Sequence, residues 1–168
     1  MLTKKNLLTI FLPFSLLFMS ACSQQFNWRE VRNNEAPFTI LMPAKAESLS
    51  KKIQLADTSL DMIMTATEVD GLSFAVGSAK LADASKATDI LAAMQNGMIR
   101  NIHGEILEPA ETANGVMKVQ GHVGSGDISM AARFVTRGNW VYQIIIVGPQ
   151  KKMTPDIIDT FMNSFIAN

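Results

Sequence analysis

A second cysteine is missing from this chain: Cys22 stands alone among 168 residues. No disulfide can form within the chain, so its stability must come from a packed core. There is no excess of charge of either sign, with 15 Lys and Arg against 15 Asp and Glu. That balance argues against nucleic acid or a strongly anionic surface as a partner, because both call for clustered basic residues. Histidine is scarce, with His103 and His122 the two in the chain, and Tyr142 is the single tyrosine. The apolar stretch at residues 7–19 is 13 residues long, short of the roughly 20 a helix needs to cross a bilayer. Also missing are Gly-x-Ser-x-Gly, a phosphate-cradling glycine loop ending in Lys-Ser or Lys-Thr, and His-Glu-x-x-His. With them go the sequence signatures of α/β-hydrolases, P-loop enzymes and zinc proteases.

What is present begins with an address. Lys4 and Lys5 precede the apolar run, which is interrupted by Thr9, Pro13 and Ser15, and the small pair Ser20-Ala21 follows it. This is the three-part layout of an export signal. Met19 is a poor fit three positions before an ordinary cut, but Met19-Ser20-Ala21-Cys22 resembles the bacterial lipobox. That resemblance implies a diacylglyceryl group on the Cys22 thiol, cleavage before it and acylation of the new amino terminus. One acyl chain binds a membrane only marginally, whereas two or three hold a protein there essentially permanently. Ser23, rather than Asp, follows the cysteine, and in lipoproteins of this kind that implies sorting to the outer membrane.

Residues 1–21 therefore read as a signal, 22–26 as the lipidated cysteine and a short tether, and 27–168 as one domain, a normal size for a single core. Loss of Lys4 and Lys5 leaves 13 basic against 15 acidic residues, a formal charge of about −2.

Within that domain, residues 28–31 and 38–42 read as two edge strands separated by Arg32-Asn33-Asn34-Glu35 and bounded by Pro37 and Pro43. Residues 51–56, 60–69 and 72–79 are strand-like, the last two joined by Asp70-Gly71, a strong two-residue hairpin signal. Such a turn pairs Val69 with Leu72, Thr67 with Phe74, Thr65 with Val76 and Ile63 with Ser78, gathering bulky side chains on one face. The other face, with Ala66, Ala75 and Gly77 beside Met62 and Met64, is left for a closely approaching helix. That helix is predicted by Ala87, Ile90, Leu91, Met94, Met98 and Ile99 at three- and four-residue steps. Asp83 or Ser85 caps its start, Gly104 ends it, and Gly97 inside it marks a close contact.

Period two then returns. Asn114-Gly115 reads as a two-residue turn that sets Glu111 opposite Lys118, Gly124-Ser125-Gly126 turns the chain again, and Gly138-Asn139 joins residues 128–137 to 140–147. The near-continuous apolar run 141–147 predicts a central strand covered on both faces. Thr154-Pro155-Asp156 offers a capping hydroxyl, a proline at the first helical position and a carboxylate in the first turn. Ile157, Ile158, Phe161, Met162 and Phe165 then form an apolar stripe. Grouped strands with hairpin turns predict an α+β domain, antiparallel meanders with two main helices packed on the sheet.

Three stretches carry a resemblance: Ala36-Pro37-Phe38-Thr39-Ile40-Leu41-Met42-Pro43, residues 133–143 of the last hairpin, and the closing Ser164-Phe165. Together with the element order they resemble the PsbP-like family of photosystem II extrinsic subunits and LpqN-like lipoproteins. The resemblance implies a sandwich with binding or assembly roles and no shared catalytic motif.

Candidate chemistry is sparse. His103 and Glu105 are two apart, and with His122 they form a weak metal or acid–base set. Met62 and Met64 offer two thioethers to a soft metal or, more commonly, two flexible core fillers. Gly121-His122-Val123-Gly124-Ser125-Gly126 joins strand to strand, with no helix to receive a phosphate, and reads as a hairpin. Arg133, Arg137, Trp140 and Tyr142 share one face of the last hairpin, either as a structural cation–π cluster or as a patch for a partner protein. The reading at this stage is an outer-membrane lipoprotein with its domain in the periplasm. It is taken as non-catalytic, without a cofactor, attached to the membrane through Cys22, and binding or assembling with a protein partner and not with nucleic acid. The alternative is a copper or zinc protein, or an enzyme, using His103, Glu105 and His122.

Overall fold

Asp70 and Gly71 hold φ of 54° and 70°, the double left-handed geometry of the hairpin turn whose twist matches its flanking strands. Around that turn a computed structural model of the protein describes residues 25–55, 57–110 and 115–168. The signal, Cys22 and Glu111 lie outside the described residues.

The described chain forms β1 (Arg29–Asn33), β2 (Phe38–Met42), β3 (Glu47–Leu55), β4 (Thr58–Val69), β5 (Leu72–Lys80), α1 (Ala87–Asn101), β6 (Glu105–Glu108), β7 (Val116–Val123), β8 (Gly126–Arg137), β9 (Trp140–Gly148), α2 (Pro155–Asn163) and β10 (Ile166–Ala167). Seven strands make one antiparallel sheet in the order β3-β4-β5-β9-β8-β7-β6, and β1-β2-β10 make a second, smaller one. The fold is α+β, with two helices packed against the large antiparallel sheet.

The Asp70-Gly71 register is the expected one, with Val69 opposite Leu72, Thr67 opposite Phe74, Thr65 opposite Val76 and Ile63 opposite Ser78. Gly138-Asn139 likewise sets Arg137 opposite Trp140 and Arg133 opposite Ile144. β9 is central and buried from Val141 to Ile146, as its apolar run requires. It splits the domain into two layers. On one side Phe74, Val76, Tyr142, Ile144 and Ile146 pack against the small sheet and the Ile158, Phe161, Met162 and Phe165 stripe that continues from α2. On the other side α1 crosses the sheet, with Ile90 and Met94 over Met62, Ala79 and Val141 and its last turns over Met117, Val119 and Met130.

Several local expectations are corrected. β2 is not an edge strand but the centre of the small sheet, because the chain after α2 turns back as β10 and pairs Ile166 with Thr39. The β6–β7 register is also different: Lys118 lies opposite Glu108 and bridges it at 3.0 Å. A two-residue turn at Asn114-Gly115 would put Glu111 there, so the connection is longer, with the Gly115 amide donating to the Ala110 carbonyl at 2.9 Å.

The left-handed residue that ends α1 is His103, at φ 48°, not Gly104. The His103 amide donates to the Arg100 carbonyl and the Gly104 amide to that of Ile99, the paired bonds of a Schellman cap. Gly104 is needed for space, since a Cβ there would lie 2.5 Å from Val119. Gly97, by contrast, marks no close contact: a Cβ there would meet only the end of Arg100, at 3.9 Å. Thr154 sits at the N-cap of α2 without a side-chain capping bond, while Asp83 does cap the short 3-10 turn before α1 by accepting from the Ser85 amide at 2.9 Å.

Candidate functional site

The four side chains of the last hairpin do share a face, but they do not make a common surface. Tyr142 is completely buried, its ring edge-on to Phe165 at 5.2 Å and its hydroxyl donating to the Pro37 carbonyl at 3.1 Å. Burial pushes the phenol above its ordinary pKa by disfavouring the phenolate. Trp140 stacks on Tyr142 at 6.2 Å and is half-buried. Arg133 donates from Nη1 to the Met162 carbonyl at 3.1 Å, which explains its position without a cation–π contact. Arg137 is exposed beside the turn. The face is therefore largely interior, because α2 and the small sheet cover it; Arg137 and the outer part of Trp140 are what it offers a partner.

The histidines are separated by role. His103 belongs to the end of α1, so it does not share a strand face with Glu105, the first residue of β6. His122 pairs through Nδ1 with Asp127 at 2.8 Å, and both side chains are largely exposed. Among the described residues no group of three His, Cys, Asp or Glu side chains is arranged to hold a metal ion. Met62 is buried under α1, and Met64 Sδ accepts from Gln143 Nε2 at 3.9 Å, so both thioethers serve the core. Gln143 and Met64 also fill the space above Gly77 that the small-residue face left open.

One concavity among the described residues was not anticipated. A cleft of about 290 Å³ lies between the outer meander strands and the start of α2, with Leu107, Ala131, Met153 and Ile158 on its apolar side and Lys118 and Asp159 at its polar side. β6 is one of the two edge strands of the large sheet among the described residues, with an irregular register between Ile106 and Glu108. That irregularity puts two consecutive apolar side chains in solvent, Ile106 46% and Leu107 61% exposed. Adjacent exposed apolar residues on a strand break period two, and Ile106-Leu107 was the available signal in the sequence. Lys118 is held by Glu108, and the Ser129 hydroxyl donates to Gln120 at 2.8 Å, so these polar groups at the cleft already have partners. Such a lining suits reception of one large apolar side chain better than proton transfer. Comparison with protein-family models, with curated proteins and with solved structures finds no match.

Proposed function

We propose that the chain is a lipoprotein of the outer membrane whose domain faces the periplasm and acts as a binding or assembly module without catalysis. The observation that carries this reading is Met19-Ser20-Ala21-Cys22-Ser23 behind a basic, apolar signal. An unpaired cysteine in an oxidising compartment is otherwise a liability. The order of strands, helix, four-strand meander and helix supports a PsbP-like reading, and the binding surface is assigned to the cleft beside β6.

Two measurements test these statements. Cys22→Ser should leave an uncleaved precursor that no longer partitions with lipidated membrane proteins in detergent fractionation; unchanged partitioning refutes the anchor. A photo-crosslinking residue at Leu107 should yield a discrete adduct in intact cells, whereas one at exposed Lys52 should not. Equal yield at both sites refutes the cleft as the binding surface.

A further inference from the structure

Phe26 is packed, although the sequence places it with the tether. Its ring stacks on Trp28 at 5.9 Å and meets Phe74 edge-on at 6.1 Å, and the next amide, of Asn27, donates to the Pro43 carbonyl at 2.8 Å. If Cys22 is the lipid anchor, as proposed above, four residue steps separate it from a ring fixed in the fold, a reach of at most about 14 Å. The headgroup layer itself occupies roughly 5 to 8 Å on each side of a bilayer. Little slack is left.

The register identifies the end of the domain that this short reach draws down. β1 runs antiparallel to β2 with Arg29 opposite Met42, so the chain before it leaves past Pro43. Phe74, which Phe26 covers, lies two residues from Leu72 at the Asp70-Gly71 turn and opposite Ile146, near the end of β9. The same end of the large sheet carries the Gly124-Ser125 turn, because Ser129 lies opposite Gly148 and Val123 opposite Gly126. It also carries Lys151 and Lys152, the latter tied to Asp70 at 2.6 Å. The Gly138-Asn139 turn is at the far end, separated from Asp70-Gly71 by the 9 residues of β9 and from Gly124-Ser125 by the 12 residues of β8, about 30 and 40 Å.

We propose that the end bearing Asp70-Gly71, Gly124-Ser125 and Lys151 is a membrane-apposed surface that rests on a phospholipid bilayer, while the Gly138-Asn139 end points away from it. Arg29, Lys45, Lys151 and Lys152 are set there against Glu68, Asp70, Glu105 and Asp127. This even balance suits a zwitterionic headgroup layer, with no need for anionic lipid. The bilayer then limits access to this end, and a partner approaches from the sides or the far end.

The lipid-modified protein offers a direct test, since the Cys22 sulfur is consumed in the thioether and an introduced cysteine is the sole free thiol. Lys151→Cys, Ser125→Cys and, at the far end, Arg137→Cys variants carry a fluorescent label in phosphatidylcholine vesicles containing headgroup spin-labelled lipid. Quenching should be several-fold stronger at positions 151 and 125 than at 137, and about 20 Gly and Ser residues inserted after Ser23 should abolish the difference. Equal quenching at both ends of vesicle-bound protein overturns the orientation alone. Protein that fails to float with the vesicles overturns the lipid anchor, and the orientation with it.

Discussion

Arg133 on β8 reaches across the domain to the carbonyl of Met162, 3.1 Å from its Nη1. Met162 lies in the last turn of α2, where carbonyls lack partners within the helix and a positive charge is favoured. One side chain thereby ties the meander to the layer that α2 and β10 build over it.

Arg133→Met keeps much of the apolar stem but removes the donor. The expected loss is about 1 to 3 kcal/mol, because the contact is partly buried and its carbonyl is left without that donor. Chemical denaturation measures it, and a change below about 0.3 kcal/mol would contradict this role.

Tyr142 is the only tyrosine, so phenolate absorbance reports it alone. In the folded protein it should ionise above the ordinary value of about 10, and in denaturant at about 10. Because the folded chain keeps this proton to higher pH than the unfolded chain, its contribution to stability is complete below about pH 10. That contribution is lost as pH rises through the folded value. A folded protein whose phenol ionises at the unfolded pKa would show that the ring is not buried between the layers.

Gly97→Ala should stabilise the protein by roughly 0.5 to 1 kcal/mol. The position is inside α1 with no contact closer than 3.9 Å for an added Cβ, and alanine restricts the unfolded chain more than glycine does. Thermal and denaturant midpoints should both rise. A loss of stability would mean that α1 lies closer to the sheet than described.

Much of this architecture was legible because it is locally encoded. Asp70-Gly71 and Gly138-Asn139 fix a register by backbone conformation alone, and the stripes of α1 and α2 repeat at helical spacing. The failures occur where distant contacts decide. Nothing near Ile166 announces that it pairs with Thr39 on a strand more than 120 residues earlier. Asn114-Gly115 has strong hairpin chemistry, but the Glu108–Lys118 pair and the irregular β6 register override it. His103 occupies a left-handed position that usually falls to glycine, because Gly104 is needed one residue on to clear Val119. The cleft was hidden for the same reason: its walls come from β6, β8 and the start of α2, which only the tertiary fold brings together. The Arg133–Tyr142 face was identified correctly as a face, but its burial depended on β2 and α2.

The central claim is that Cys22 holds this domain on a membrane, and mass spectrometry of the mature protein from its native membrane tests it most directly. The expected amino-terminal peptide begins at Cys22 and carries a diacylglyceryl thioether with a further acyl group on its amine. An amino terminus at any other residue, or an unmodified Cys22 thiol in the mature protein, would contradict the account.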